Sequence, residues 1–237
     1  FINLQKRILD EKTTVFDKSE LLSMTKIALP SILQQSIVSI GMMLVQSVVN
    51  SFGSEALAGF SAAMRIESIC IVPMMGIGNA ISSFTAQNSG ANKPERITEG
   101  FKAANCMVVC FAVIICLILE LFNHSIITLF LGDSGTAAAV KTGRDYLVFM
   151  GWFFCLIGFK MTVDGLLRGS GDMKIFTIAN LVNLFIRVFI SVTFAPTLGI
   201  AMVWYSVPVG WFANWLISFV RYRSGKWKYV YISNNKS

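Results

Sequence analysis

Six long runs of apolar residues, at about 21–50, 57–85, 101–122, 144–167, 175–195 and 199–220, set the pattern of this chain. A helix rises about 1.5 Å per residue and the hydrocarbon layer of a bilayer is about 30 Å thick, so about 20 apolar residues cross it. Each run reaches that length, and Met107–Leu119 holds no charged residue. A soluble domain of this size would interleave polar helix faces with the apolar ones. The pattern predicts an all-α integral membrane protein built as a bundle of six transmembrane helices.

The polar residues inside these runs are few and placed with a period. In the first, Gln35, Ser39, Gln46 and Asn50, with Met42 between, follow one helix face. Lipid cannot hydrogen-bond an amide, so this face is expected to look into protein or a water-filled cavity. The second run holds Arg65 and Glu67, then Pro73, Gly76 and Gly78, where a kink is expected. Arg65 and Glu67 are two residues apart and point to different sides. A charge at mid-bilayer costs about 2.5–3.5 kcal/mol on insertion scales, so both call for partners or water. The third run is smooth, with Glu120 near its end, and 123–143 reads as a loop around Gly132 and Gly135. In the fourth, Lys160 and Asp164 stand at i and i+4, the spacing at which opposite charges meet. They read either as a neutralised pair or as part of an ion pathway. The fifth run lines up Asn180, Asn183 and Arg187 on one face, with Arg187 open to pairing with Glu67 or Asp164. The sixth carries Pro208 and Trp204, Trp211 and Trp215. Trp211 and Trp215 read as packing, and Tyr222 and Trp227 at its end read as interfacial belt residues.

Composition agrees with a membrane protein: 54% of residues are hydrophobic, 14% are charged and mean hydropathy is +0.64. The net charge of +7 would suit a nucleic-acid binder, but its placement argues against one. Of the 20 Lys and Arg, fifteen lie before or at the start of the first run (Lys26 included), around the 2–3 and 4–5 connections and at the C-terminus. The remaining connections hold only Lys141 and Arg144. Cytoplasmic loops carry the excess of Lys and Arg, which predicts both termini inside. The five Cys (Cys70, Cys106, Cys110, Cys116, Cys155) form no Cys-x-x-Cys, and His124 is the only His. No metal site, disulfide framework or cofactor is expected from that set. Nor does the chain hold a nucleophile–base pair or protease motif, so it reads as a non-enzyme. Residues 1–20 read as a cytoplasmic connector, 21–228 as the transmembrane lobe and 229–237 as a cytoplasmic tail. With Phe at position 1, the chain reads as a piece of a longer polypeptide.

Two segments carry more than a generic membrane pattern. One runs from Pro73-x-x-Gly76 to Ala86-Gln87-Asn88-Ser89-Gly90-Ala91 and on to Arg96. The other is Asp164-Gly165-Leu166-Leu167-Arg168-Gly169-Ser170-Gly171-Asp172. With Leu29-Pro30 at the start of the first run and Tyr222–Lys228 after the last, the chain resembles the multidrug and toxic compound extrusion (MATE) family of transporters. The resemblance covers the chain from about residue 20, and Ala86 stands where the family pattern has Gly.

The resemblance implies one six-helix lobe, the C-terminal one, of a two-lobe (6+6) antiporter in the plasma membrane of a bacterium. Such proteins export small organic, often cationic, compounds in exchange for Na⁺ or H⁺ by rocking two lobes about a central cavity. The expected partners are the lipid bilayer, an N-terminal six-helix lobe of the same parent chain and the exported compounds. The path is expected to be lined by Gln35, Gln46, Asn50, Glu67, Asn180, Asn183 and Arg187, with Asp164 beside it. Arg65 and Glu67 are candidates for an ion-pair switch. Some members hold the coupling cation on a carboxylate of the lobe's first span. Here that span has Gln34 and Gln35 and no Asp or Glu, which shifts the expected coupling residue to the other lobe. The alternatives are a flippase for lipid-linked precursors, whose cavity would be richer in Arg and Lys, and a non-transporting accessory subunit.

Overall fold

The computed structural model describes residues 18–132 and 135–228. The rest of the expected connector, the tail from 229, and Asp133 and Ser134 lie outside the described residues, as do the side chains of Leu29, Pro30 and Gln34. Seven helices follow one another: α1 (Lys18–Asn50), α2 (Ser54–Gly90), α3 (Pro94–Leu131), α4 (Ala137–Gly151), α5 (Phe154–Gly169), α6 (Met173–Leu198) and α7 (Ala201–Arg223). Helix α1 starts at Lys18, inside the segment expected to be a connector. Among the described residues, 18–39 form one unit and those from Ile40 onward form a second.

Within the second unit α2 is the central element. It packs on α3, α4 and α5, while α6 and α7 form a hairpin and α5 lies against α7. Glycine decides the α2–α5 contact. A Cβ on Gly165 would sit 2.2 Å from the Gly78 carbonyl oxygen, and one on Gly169 2.2 Å from that of Ser82. The two glycines are four residues apart, the small-xxx-small spacing that lets membrane helices approach backbone to backbone. Gly59 meets α4 in the same way, at the Ala139 carbonyl. In α1, Gly41 abuts the Leu184 side chain of α6.

Two helix boundaries differ from the sequence expectation. Helix α3 continues through the expected 123–143 loop to Leu131, and only a short connection separates it from α4. Asn123 helps, because its buried side chain donates to the Glu120 carbonyl inside the helix instead of opening a turn. The fourth run is not one helix but α4 and α5, bent by 58° at a break around Trp152 and Phe153. Hydropathy runs unbroken through that point, so periodicity alone could not reveal it. By contrast α2 stays helical through Pro73.

Among the described residues α2, α3 and α6 are long and apolar enough to cross a bilayer, and α4 with α5 passes the same measure only when the bent pair is taken as one span. The apolar stretch of α1 is Gln35–Asn50, and α7, diluted by Ser206, Pro208 and Asn214, is less apolar than these. The outer surface is oily. On α3, Ile114, Leu117 and Leu121 are exposed, while Val108, Ala112 and Leu119 face the core. Trp227 corrects the belt expectation: it is buried, and its indole N–H donates to the Tyr222 carbonyl at 3.1 Å. Trp204 and Trp211 are core residues as well.

Candidate functional site

Two groups of buried polar side chains lie inside the second unit. The first joins α2 to α4. Glu67 is buried, and the Tyr146 hydroxyl donates to its Oε2. The Tyr146 ring sits edge-on to Phe60 at 5.4 Å and to Trp204 at 5.9 Å, which fixes the hydroxyl where the carboxylate needs a donor. Arg187 on α6 lies within electrostatic range of both.

The second group is built on one face of α5, where Lys160, Asp164 and Arg168 follow at four-residue spacing. Lys160 Nζ donates to Asp164 Oδ2 at 2.8 Å and to Asn180 Oδ1 on α6 at 3.2 Å. Ser218 on α7 donates to the other Asp164 oxygen at 3.1 Å. Arg168 donates to Asn79 Oδ1 on α2 at 3.1 Å, and its guanidinium stands 5.6 Å from the centre of the Phe176 ring. A pocket of about 160 Å³ opens between α2, α5 and α6 over these groups. Lys160, Asp164, Arg168, Asn79 and Asn180 supply its polar wall, and Met75, Met161 and Phe176 its apolar one.

The turn after α5 explains the second motif. Gly171 has φ +79°, a left-handed conformation that glycine adopts without strain. Asp172, buried, accepts from Arg221 Nε at 2.5 Å and ties the turn to α7. In the first motif Gln87 is exposed and Asn88 is buried, donating to the Phe84 carbonyl, while Ala91 caps α2 through the Gln87 carbonyl. Gly76 and Gly90 are exposed, and Gly76 has open space beside it.

The predicted path residues therefore separate. Gln35 is exposed in the first unit and Asn50 is exposed at the end of α1. Gln46 is half-buried, with Nε2 3.5 Å from Ser61 Oγ. Arg65 is exposed while Glu67 is buried, so these two do not form an ion pair in this structure. Asn180 joins the α5 pocket. Asn183 and Arg187 lie over Gly210 of α7, where a Cβ would come within 2.3 Å of Asn183 Oδ1. Neither Glu67 nor Asp164 forms an ion pair with Arg187, and Asp164 belongs to Lys160. Tyr146, Ser218 and Asn79 were not legible as site residues: each is a neutral side chain whose charged partner lies far away in sequence, on another helix. Asn79 alone had a hint, standing next to Gly78 in a run otherwise apolar.

An all-helical bundle with an oily exterior and buried, paired charges is a membrane protein of the polytopic class. The MatE family model matches residues 30–193, and the chain belongs to that family. It is 28% identical over 212 residues, 89% of its own length and 47% of the relative's, to the probable multidrug resistance protein YpnP of Bacillus subtilis (strain 168). Its fold is similar to that of a multidrug resistance MATE family transporter of the MOP superfamily in an outward-facing conformation. There the TM-score is 0.80 at 24% identity, over 92% of this chain and 49% of that one. It is equally similar, at TM-score 0.80 and 23% identity, to a MOP superfamily transporter from Pyrococcus furiosus Vc1 described as having a binding pocket of reverse polarity. That match covers 91% of this chain and 48% of the other. The chain spans about half the length of the curated relatives it matches.

Proposed function

We propose that this chain is the C-terminal lobe of a bacterial multidrug exporter that works as an antiporter driven by Na⁺ or H⁺. In this reading it sits in the plasma membrane with both termini inside and closes against a preceding six-helix lobe. Small organic compounds cross between the lobes by alternating access. The observation that carries the reading is the Lys160–Asp164–Asn180–Ser218 network beside an open pocket. Ionisable groups inside a membrane bundle are costly and gather where ions or substrates pass. A charge pair flanked by a neutral donor, Ser218, and a neutral acceptor, Asn180, can exchange partners without leaving a bare charge in lipid. A cation or proton arriving at Asp164 competes with Lys160 for the carboxylate, and Lys160 keeps Asn180 as its acceptor. That exchange gives the lobe two arrangements of similar energy, as alternating access requires. Asp164 thereby becomes the coupling candidate in this lobe, in place of the carboxylate that the apolar run 21–50 of α1 lacks.

The test is resistance conferred by the full-length parent gene in an efflux-deficient bacterium. Wild type raises the minimal inhibitory concentration of toxic dyes and drugs. Asp164→Asn and Glu67→Gln abolish that rise at equal membrane abundance. A wild-type protein that confers no resistance and moves no dye in reconstituted vesicles overturns the reading and leaves the accessory-subunit alternative. Unchanged resistance in Asp164→Asn removes Asp164 from the coupling step.

A further inference from the structure

The charges around the α5 pocket do not cancel. Its wall holds two cations, Lys160 and Arg168, and one carboxylate, Asp164. Asp164 is already engaged on both oxygens, by Lys160 and by Ser218. Among the described residues, Arg168 takes part in neither of the two ion pairs, and the one side-chain hydrogen bond it makes there goes to a neutral amide, Asn79. Its Nε is buried and has no hydrogen-bond partner among the described residues. A guanidinium presents its N–H groups as a planar fork that matches the oxygens of a carboxylate or phosphate. Across the pocket the surface turns apolar, with Met75, Met161 and Phe176. The volume of about 160 Å³ is close to that at which a cavity admits a benzene-sized ring.

From this geometry we infer that the α5 pocket is a seat for the acidic group of a small amphiphilic anion, an aromatic or branched-alkyl carboxylate. Arg168 is its main ligand and Lys160 its second cation. The apolar part of the ligand rests on Met75, Met161 and Phe176. Organic cations meet a wall of like net charge here and are bound elsewhere in the transporter, whereas the small coupling ion of the exporter reading is taken by the Asp164 carboxylate itself. The inference rests on the exporter reading only for its biological meaning, because the pocket's charge preference is a property of equilibrium binding and needs no transport.

The experiment uses the purified full-length protein in nanodiscs and two single-ring aromatic probes of opposite charge, benzoate and benzyltrimethylammonium. Binding is followed by saturation-transfer difference NMR titration. Benzoate is expected to saturate and benzyltrimethylammonium to show no saturable signal that benzoate displaces. Arg168→Gln is expected to weaken benzoate at least about tenfold. Arg168→Lys, which keeps the charge and loses the fork, should fall between the two. Met75→Trp blocks the pocket from a half-exposed position without touching a charge, and should remove benzoate saturation at an unchanged melting temperature. That variant keeps the test decisive should Arg168→Gln fail to fold. Benzyltrimethylammonium saturating in place of benzoate, or benzoate binding that survives Met75→Trp, overturns the inference. Either of those results beside intact dye export leaves the exporter reading standing, and benzoate binding without any export fails that reading alone.

Discussion

A carboxylate inside a lipid-embedded bundle persists only where donors replace its water, and Glu67 and Asp164 solve this differently. Glu67 takes a neutral phenol, Tyr146, held by Phe60 and Trp204. Asp164 takes an ammonium and a serine hydroxyl. Leaving a buried acceptor without its donor costs about 1–3 kcal/mol, and more when the acceptor is charged. Tyr146→Phe is therefore expected to lower thermal stability in detergent measurably. Glu67→Gln should cost less, because the amide oxygen can still accept from Tyr146. In the double variant the two effects should be clearly non-additive, since both changes act on the same hydrogen bond. Additive losses would mean that the Tyr146 hydroxyl and Glu67 do not act as a pair.

At the scale of elements, glycine controls which helices meet. Gly165 and Gly169 let α5 touch α2 through backbone atoms, whereas Gly76 on α2 faces open space. Gly165→Ala must push against the Gly78 carbonyl, and overpacking of this kind costs about 1–3 kcal/mol. Its melting temperature should drop and its yield in membranes should fall. Gly76→Ala meets nothing and exchanges a flexible residue for a helix former, a gain of up to about 0.5–1 kcal/mol. Thermal denaturation of the two variants side by side checks the packing, and a Gly165→Ala protein as stable as wild type would refute it. The glycines of the Asp164–Asp172 motif thus have separate tasks. Gly165 and Gly169 serve helix contact, and Gly171 serves the turn that Asp172 ties to Arg221. The family resemblance flagged these residues, but spacing alone could not sort packing from turning. The Lys160–Asp164 pair, by contrast, was legible in the sequence because both partners lie on one helix at a fixed spacing. Its third and fourth members, Asn180 and Ser218, come from α6 and α7, and long-range pairing leaves no local periodic signal. The bend at Trp152 was hidden for a related reason: both halves of that span are apolar, and only backbone geometry separates them.

At the scale of the whole molecule, the polar interior of one lobe has meaning only if water reaches it from within the membrane. Lipid-facing positions such as Ile114 and pocket-facing positions such as Asn79 are both exposed on this chain's surface. What distinguishes them is the medium each one meets. The exposed thiols Cys106 and Cys110 make a cysteine-free background necessary. In that background, within the full-length protein in intact membranes, Asn79→Cys and Ile114→Cys are to be compared for reaction with a charged, membrane-impermeant methanethiosulfonate. The account predicts that the thiol at 79 reacts rapidly and is shielded by an exported dye, while the thiol at 114 stays inert. Equal inertness at the two positions would contradict a wet path through this lobe.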